Sequence, residues 1–249
     1  MKISLVMAYY NRKKLLENTL KSIQKYKTKD LEIIIVDDAS APEESILDLV
    51  TKYDIKVIEI DRKDKTWINA CIPFNIGFSK ATGDVIVIQN PECAHMSNIL
   101  KHVEDNICKN LYLNYACYSI DKDTDYNIKV DDKVAHENGT NGWYNHSIYK
   151  PTGYHFCSAI MREDLYALGG FDERYANGLA YDDNEFLHRI KMKKMKIEHI
   201  DSFYVVHQFH EGVADRSFVK LGMSINYKIY EKTLKDNGWN VKKHNTYYV

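Results

Sequence analysis

The chain alternates between short unbroken apolar runs and longer stretches in which apolar residues recur every three or four positions. Residues 2–7 read as a first strand, and residues 12–27 place Leu15, Leu16, Thr19, Leu20 and Ile23 on one helical stripe. A second apolar run, residues 31–36, stops at Asp37, Asp38, Ala39 and Ser40, and Pro42 followed by Glu43 and Glu44 is expected to start a helix with acids in its first turn. A third strand is expected over residues 55–60, and a helix from Ile68 or Pro73 to Ala81 leads through Gly83 to a fourth strand. That fourth run, from Val85 to Ile88, has no polar alternation, as expected of a central parallel strand covered on both faces. Such alternation of strand and helix predicts an α/β fold with a parallel sheet and right-handed crossovers.

Beyond it the pattern predicts a helix over residues 96–109, a strand over 111–119, a strand over 156–161 and a short helix over 163–168 closed by Gly169 and Gly170. Residues 121–153 are polar and rich in Asp, Asn, Gly and Tyr, which reads as a long loop region near a site. A helix is expected over 182–195 with Phe186, Leu187 and Ile190 inward, then a strand over 197–206 running into His207 and His210, and a final amphipathic helix over 218–234. The tail beyond Trp239 is expected to be loose. One domain with two halves results, residues 1–110 and 111–249.

Length and composition support this reading and narrow the chemistry. At 249 residues and 45% hydrophobic, the chain can bury a substantial core. Its 34 basic and 35 acidic residues nearly cancel, so nothing argues for a nucleic-acid partner. Five cysteines, Cys71, Cys93, Cys108, Cys117 and Cys157, form no metal or disulfide pattern, which points to a reducing, cytoplasmic setting. The first apolar run is too short for a secretion signal, and no segment approaches the ~18 apolar residues of a membrane span.

The residues that follow the strands carry the candidate chemistry. Pro91 ends the fourth strand for want of an N–H, leaving Asn90 and Glu92 at the carboxyl edge of the sheet, where open α/β folds bind ligands. A Glu oxygen and an Asn carbonyl are hard donors suited to Mg²⁺ or Mn²⁺; a plain turn is the alternative. Asp37 and Asp38 end a strand and Asp182 and Asp183 open a helix, positions where turn and capping acids are also common. His95, His136, His146 and His155 share no ligand spacing.

In chain order, these stretches resemble family 2 glycosyltransferases of the GT-A fold. The resemblance lies in Ser4 to Arg12, in Val36-Asp37-Asp38-Ala39-Ser40, in Asn75-Ile76-Gly77 with Ala81-Thr82-Gly83-Asp84, in Gly169-Gly170-Phe171-Asp172-Glu173 and in Asp182-Asp183. The last two are also similar to the acceptor region of galactosyltransferase-like C-termini. The resemblance implies a single Rossmann-like domain with a mostly parallel central sheet, a donor-binding first half and an acceptor-binding second half. It further implies transfer of a sugar, with inversion, from a nucleotide diphosphate sugar such as a UDP-sugar to a hydroxyl of a glycan or glycoconjugate.

The same resemblance distributes roles. The nucleotide is expected at Ala8, Tyr9, Tyr10, Asn11, Arg12, Asp37, Asp38, Asn75, Gln89 and Asn90, with Asp38 reading the uracil imide and one tyrosine of the Tyr9–Tyr10 pair in the core. The family's Asp-x-Asp metal motif falls on Asn90-Pro91-Glu92, where an amide replaces one acid. Glu92 is then the best single ligand, His207 or His210 joins it, with His207 preferred, and an imidazole favours Mn²⁺ over Mg²⁺. Asp183 is expected to be the general base, with Asp182, Asp172 and Trp143 at the acceptor; Tyr144, Trp67 and Tyr181 are further stacking candidates. Phe74 stands where many relatives carry Arg. That change and Asn90 are the marks of the other reading, a nucleotide-sugar or glycan-binding module impaired in catalysis.

Overall fold

The computed structural model describes residues 1–130, 142–212, 214–236 and 241. The first half lays down β1 (Ile3–Tyr9), α1 (Lys13–Gln24), β2 (Leu31–Asp37), α2 (Leu49–Tyr53), β3 (Ile55–Glu59), α3 (Cys71–Lys80), β4 (Val85–Gln89), β5 (Cys93–His95) and α4 (Ile99–Asn106). The second half adds β6 (Leu111–Ser119), β7 (Gly142–Asn145), β8 (Cys157–Met161), α5 (Arg162–Leu168), α6 (Asp182–Met192), β9 (Lys196–His207) and α7 (Arg216–Lys235).

The strands form one sheet in the order β3-β2-β1-β4-β8-β6-β9-β5, with β7 beside β6. β3, β2, β1 and β4 are mutually parallel; the central β4 is buried along its whole length, whereas β3 at the sheet edge carries the exposed Lys56 and Glu59. Past β4 the sheet is mixed: β8 lies antiparallel between β4 and β6, and β9 runs parallel to β6 and antiparallel to β5. Side chains alternate across β1, so Leu5 and Met7 join α1, α2 and α4 in one core while Val6 and Ala8 join α3, α5 and α6 in the other. Gly83 allows the turn into β4 to press on β1, since a Cβ there would stand 2.6 Å from the Ser4 backbone nitrogen.

Several expected boundaries move for local reasons. The helix expected at Pro42 is one 3-10 turn, Pro42–Glu44, because the Glu44 carboxylate is committed elsewhere: it accepts the Lys13 N–H at 2.7 Å and so caps α1. The helix expected over 96–109 starts only after Asn98, whose Oδ1 accepts the Lys101 N–H at 3.1 Å. Lys194, at φ 57°, stops α6 short of Met195. Gly169 and Gly170 take φ 88° and 69° and close α5 as expected. β5 begins at Cys93, two residues after Pro91, where the pattern predicts no strand.

Within the expected loop, residues 121–130 and 142–153 are described, and β7 lies in the latter part. Residues 131–141 and the tail expected to be loose beyond Trp239, apart from Val241, lie outside the described residues. Among the described residues no helix is long and apolar enough to cross a membrane.

Candidate active site

Topology gathers chain ends on one side of the sheet. β1, β2 and β4 end there in parallel, β8 begins there because it runs antiparallel, and β9 ends there beside β5. They border a cleft of about 410 Å³ whose lining includes Ala8, Tyr10, Arg12, Asp38, Asn90, Glu92, Asp182 and Asp183. Some members of each expected set, for donor, metal and acceptor, therefore border one cavity.

Glu92 stands between β4 and β5, and the pairing of Cys93 with His207 sets it beside the end of β9. Its Oε1 is 3.3 Å from His207 Nε2, 3.5 Å from His210 Nε2 and 3.5 Å from Arg12 Nη1. Burial alone would raise the Glu92 carboxyl, but hydrogen bonds from His207 and His210, with electrostatic attraction from His207 and Arg12, hold it well below the usual carboxylate range. One ligand atom from each of Glu92, His207 and His210 falls within 4.8 Å of the others. The other oxygen, Oε2, is buried with no hydrogen-bond partner, an atom that a cation would satisfy. His210 Nδ1 lies 3.2 Å from the Glu211 carbonyl, the outer-shell contact that leaves Nε2 as the donor atom. One carboxylate and two imidazoles suit a borderline divalent ion.

At the other end of the cleft, Asp38 is buried and held on both sides. Trp67 Nε1 donates to its Oδ1 at 2.8 Å and Lys65 Nζ to its Oδ2 at 2.7 Å. Burial raises the Asp38 carboxyl, and Lys65 partly offsets this. Lys65 Nζ also lies 3.9 Å from the centre of the Tyr10 ring. Lys65 carried no sequence signal, because it stands in an irregular stretch before α3.

Asp182 and Asp183 occupy the first turn of α6, where the helix dipole favours anions. They are aimed there by Ala180 and Tyr181, both left-handed at φ 58° and 67°, a conformation that non-glycine residues rarely hold. Asp182 Oδ1 accepts from Asn69 Nδ2 at 2.9 Å. Its carboxyl is raised by burial and by the charge of Asp183. Asp183 Oδ1 is in close contact with His155 Nδ1, a pairing that sequence spacing did not signal.

Other expected site residues serve the framework. Tyr9 is the core member of the tyrosine pair; it is fully buried and its hydroxyl donates to the Glu44 carbonyl at 2.8 Å. Asn11 Oδ1 accepts the Ala41 N–H at 2.9 Å and Asp37 Oδ1 the Ser40 N–H at 2.9 Å, tying the ends of β1 and β2 into turns. Gln89 is wholly buried, donating to the Cys93 carbonyl at 2.8 Å and paired with His95 Nε2 at 2.7 Å. Asn75 is buried against the backbone of Phe171. Asp172 caps the 3-10 turn Glu173–Tyr175 and pairs with Arg174. Trp143 packs on Tyr118 with ring centres 5.0 Å apart in a separate small core. None of these seven lines the cleft. Phe74 does, edge-on to the His155 ring at 5.2 Å.

Solved structures share this architecture. The chain is similar to TarS residues 1–349 of S. aureus (16% identity, TM-score 0.59), covering 82% of this chain and 60% of that one. It is similar to GalNAc-T7 with UDP, GalNAc and Mn²⁺ (16% identity, TM-score 0.62, 84% of this chain and 44% of that one). It is also similar to the mannosyltransferase PcManGT from Pyrobaculum calidifontis in complex with GDP-Man and Mn²⁺ (17% identity, TM-score 0.60, 96% of this chain and 66% of that one). The chain thus spans 60, 44 and 66% of the lengths of these three proteins. No curated protein sequence matches it. Residues 4–169 match the profile described as glycosyl transferase family 2, and the chain belongs to that family of glycosyltransferases.

Proposed function

We propose that the chain transfers a sugar from a UDP-sugar to a hydroxyl of a glycan or glycoconjugate, with inversion at C1 and with divalent-metal assistance. The observation that carries this reading is that Glu92, which His207 and His210 contact, lines the same cleft as Asp183, Asp38 and Tyr10. The uracil lies on Tyr10, and its imide N–H donates to a remaining lone pair of Asp38, whose orientation Trp67 and Lys65 fix. Arg12, at the cleft wall, faces the diphosphate. Glu92, His207 and His210 are the residues that would hold Mn²⁺, which when bound supplies positive charge to the departing diphosphate.

Asp183 accepts the proton of the acceptor hydroxyl as its oxygen bonds to C1. The bond from C1 to the diphosphate oxygen breaks on the opposite face, and its electron pair leaves with UDP. A carboxylate within hydrogen-bond reach of the nucleophile is sufficient for this role, and Asp182 orients the acceptor's neighbouring hydroxyls. Residues 1–110 supply the donor floor and residues 111–249 the acceptor side and the imidazoles. All five cysteines are free thiols, which supports a reducing, cytoplasmic setting.

Isothermal titration of UDP with and without Mn²⁺, repeated for Glu92→Ala, tests the metal. Binding indifferent to both would remove it. For the base, Asp183→Asn is expected to abolish transfer while leaving UDP affinity nearly intact; full activity in that variant would discard the assignment.

A further inference from the structure

The mechanism above uses no atom of His155, yet this imidazole is buried in the wall of the cleft against the reacting carboxylate. It stands just ahead of β8, and the pairing of Gln89 with Cys157 delivers it to the end of β4. Two of its groups converge on one atom: the His155 backbone N–H donates to Asp183 Oδ1 at 3.0 Å, and Nδ1 of the ring makes an ion-pair contact with the same oxygen. Among the described residues no hydrogen bond reaches Asp183 Oδ2. The ring is held in turn by Phe74, edge-on at 5.2 Å, and by Phe171 at 4.8 Å.

We propose that His155 is the positioning residue of Asp183, pinning Oδ1 from two directions so that Oδ2 alone is presented to the acceptor hydroxyl. The proposal rests on the assignment of Asp183 as the base. A carboxylate on a free χ2 rotor would offer either oxygen over a range of angles; one anchored at a single oxygen by a ring and a main-chain N–H keeps its other lone pairs aimed. Phe74 gains a purpose here, since the aromatic ring at that position props the imidazole where many relatives are expected to carry a cation.

The charges facing His155 agree with this geometry. Asp182 and Asp183 approach it from α6, while α3 and the turn after α5 present the rings of Phe74 and Phe171. Burial would lower the imidazole, but the two carboxylates outweigh it and raise His155 above its ordinary 6.5.

The test uses the full chain with ¹⁵N-labelled histidine, the His155 signals being assigned by their loss in His155→Asn. The ring is expected to titrate above 6.5 in the wild type and lower in Asp183→Asn, where one of the two carboxylates that raise it is gone. With a UDP-sugar donor, His155→Ala is expected to lower kcat about tenfold or more while UDP affinity stays within about twofold. The acid limb of its kcat–pH profile should move to higher pH, because the adjacent carboxylates of Asp182 and Asp183 then face each other without the imidazole. His155→Asn, which can place an amide N–H near the Nδ1 position, should recover part of kcat.

A ring that titrates at or below 6.5, or that ignores Asp183→Asn, overturns the proposal whatever the catalytic result. An unmoved acid limb in His155→Ala does the same even if kcat falls. If the titration behaves as expected but Asp183→Asn keeps full transfer, the base assignment has failed, and the positioning role falls with it.

Discussion

Asn75 grips the main chain of Phe171 at both polar groups: its Oδ1 accepts the Phe171 N–H at 2.8 Å and its Nδ2 donates to the Phe171 carbonyl at 2.8 Å. The same Nδ2 reaches Glu173 Oε1 at 2.9 Å, and the whole arrangement is buried. Gly170 makes the approach possible, since a Cβ there would lie 2.4 Å from Asn75 Oδ1. Asn75→Leu would strand a buried N–H and a buried carbonyl. Urea unfolding is expected to show a loss of about 2–4 kcal/mol; a loss under about 0.5 kcal/mol would mean that the turn finds other partners.

On the proposed function, Trp67 acts on the donor through Asp38. Removing its N–H in Trp67→Phe keeps most of the ring volume but frees Asp38 Oδ1 from the bond at 2.8 Å. UDP affinity, read by isothermal titration, is expected to weaken about 3- to 10-fold with little change in the urea midpoint. Unchanged affinity would show that Lys65 alone orients the carboxylate.

The histidines are predicted to matter individually. His207→Ala and His210→Ala should each weaken Mn²⁺ binding about tenfold or more, followed by the paramagnetic resonance of free Mn²⁺. At Mn²⁺ about 100-fold above its Kd, the wild type should gain roughly 2.7 kcal/mol of stability. Glu92→Ala should gain nothing, and a comparable gain in that variant would place the ion elsewhere.

Glu32 gives a pH dependence independent of catalysis. Burial would raise this carboxyl, but Lys56, Ser4 and Thr82 bond to it and hold it well below its ordinary 4.5. A depressed folded-state pKa contributes stability that is present above the unfolded value and lost as pH falls through the folded one. The wild type should therefore exceed Glu32→Gln in urea midpoint at neutral pH, and the gap should close progressively below pH 4.5. A gap independent of pH would mean that the charge of Glu32 contributes nothing.

Much of this was readable before any coordinates. Val85 to Ile88, unbroken and apolar, is buried throughout, and Glu92 and Asp183 reach the same cavity. What the linear pattern hid is which polar side chains the framework consumes. Gln89 stands in the same strand-end run as Asn90, yet the antiparallel entry of β8 and the tight return of β5 enclose it completely. Trp143 looks like a stacking platform until β6 and β9 cover it. His155 and Lys65 were invisible for the opposite reason: their partners lie in segments remote in sequence, and no spacing along one element brings them together.

The pairing of Cys93 with His207 has a bearing on how such chains can be recombined. Glu92 comes from the first half and both imidazoles from the second, and β5 takes its ladder partner from β9. Residues 1–110 are therefore no free-standing cassette. Grafting residues 1–110 onto a different C-terminal portion would transplant an acid without the rings that face it and leave a strand edge bare, so a working chimera has to carry β9 along.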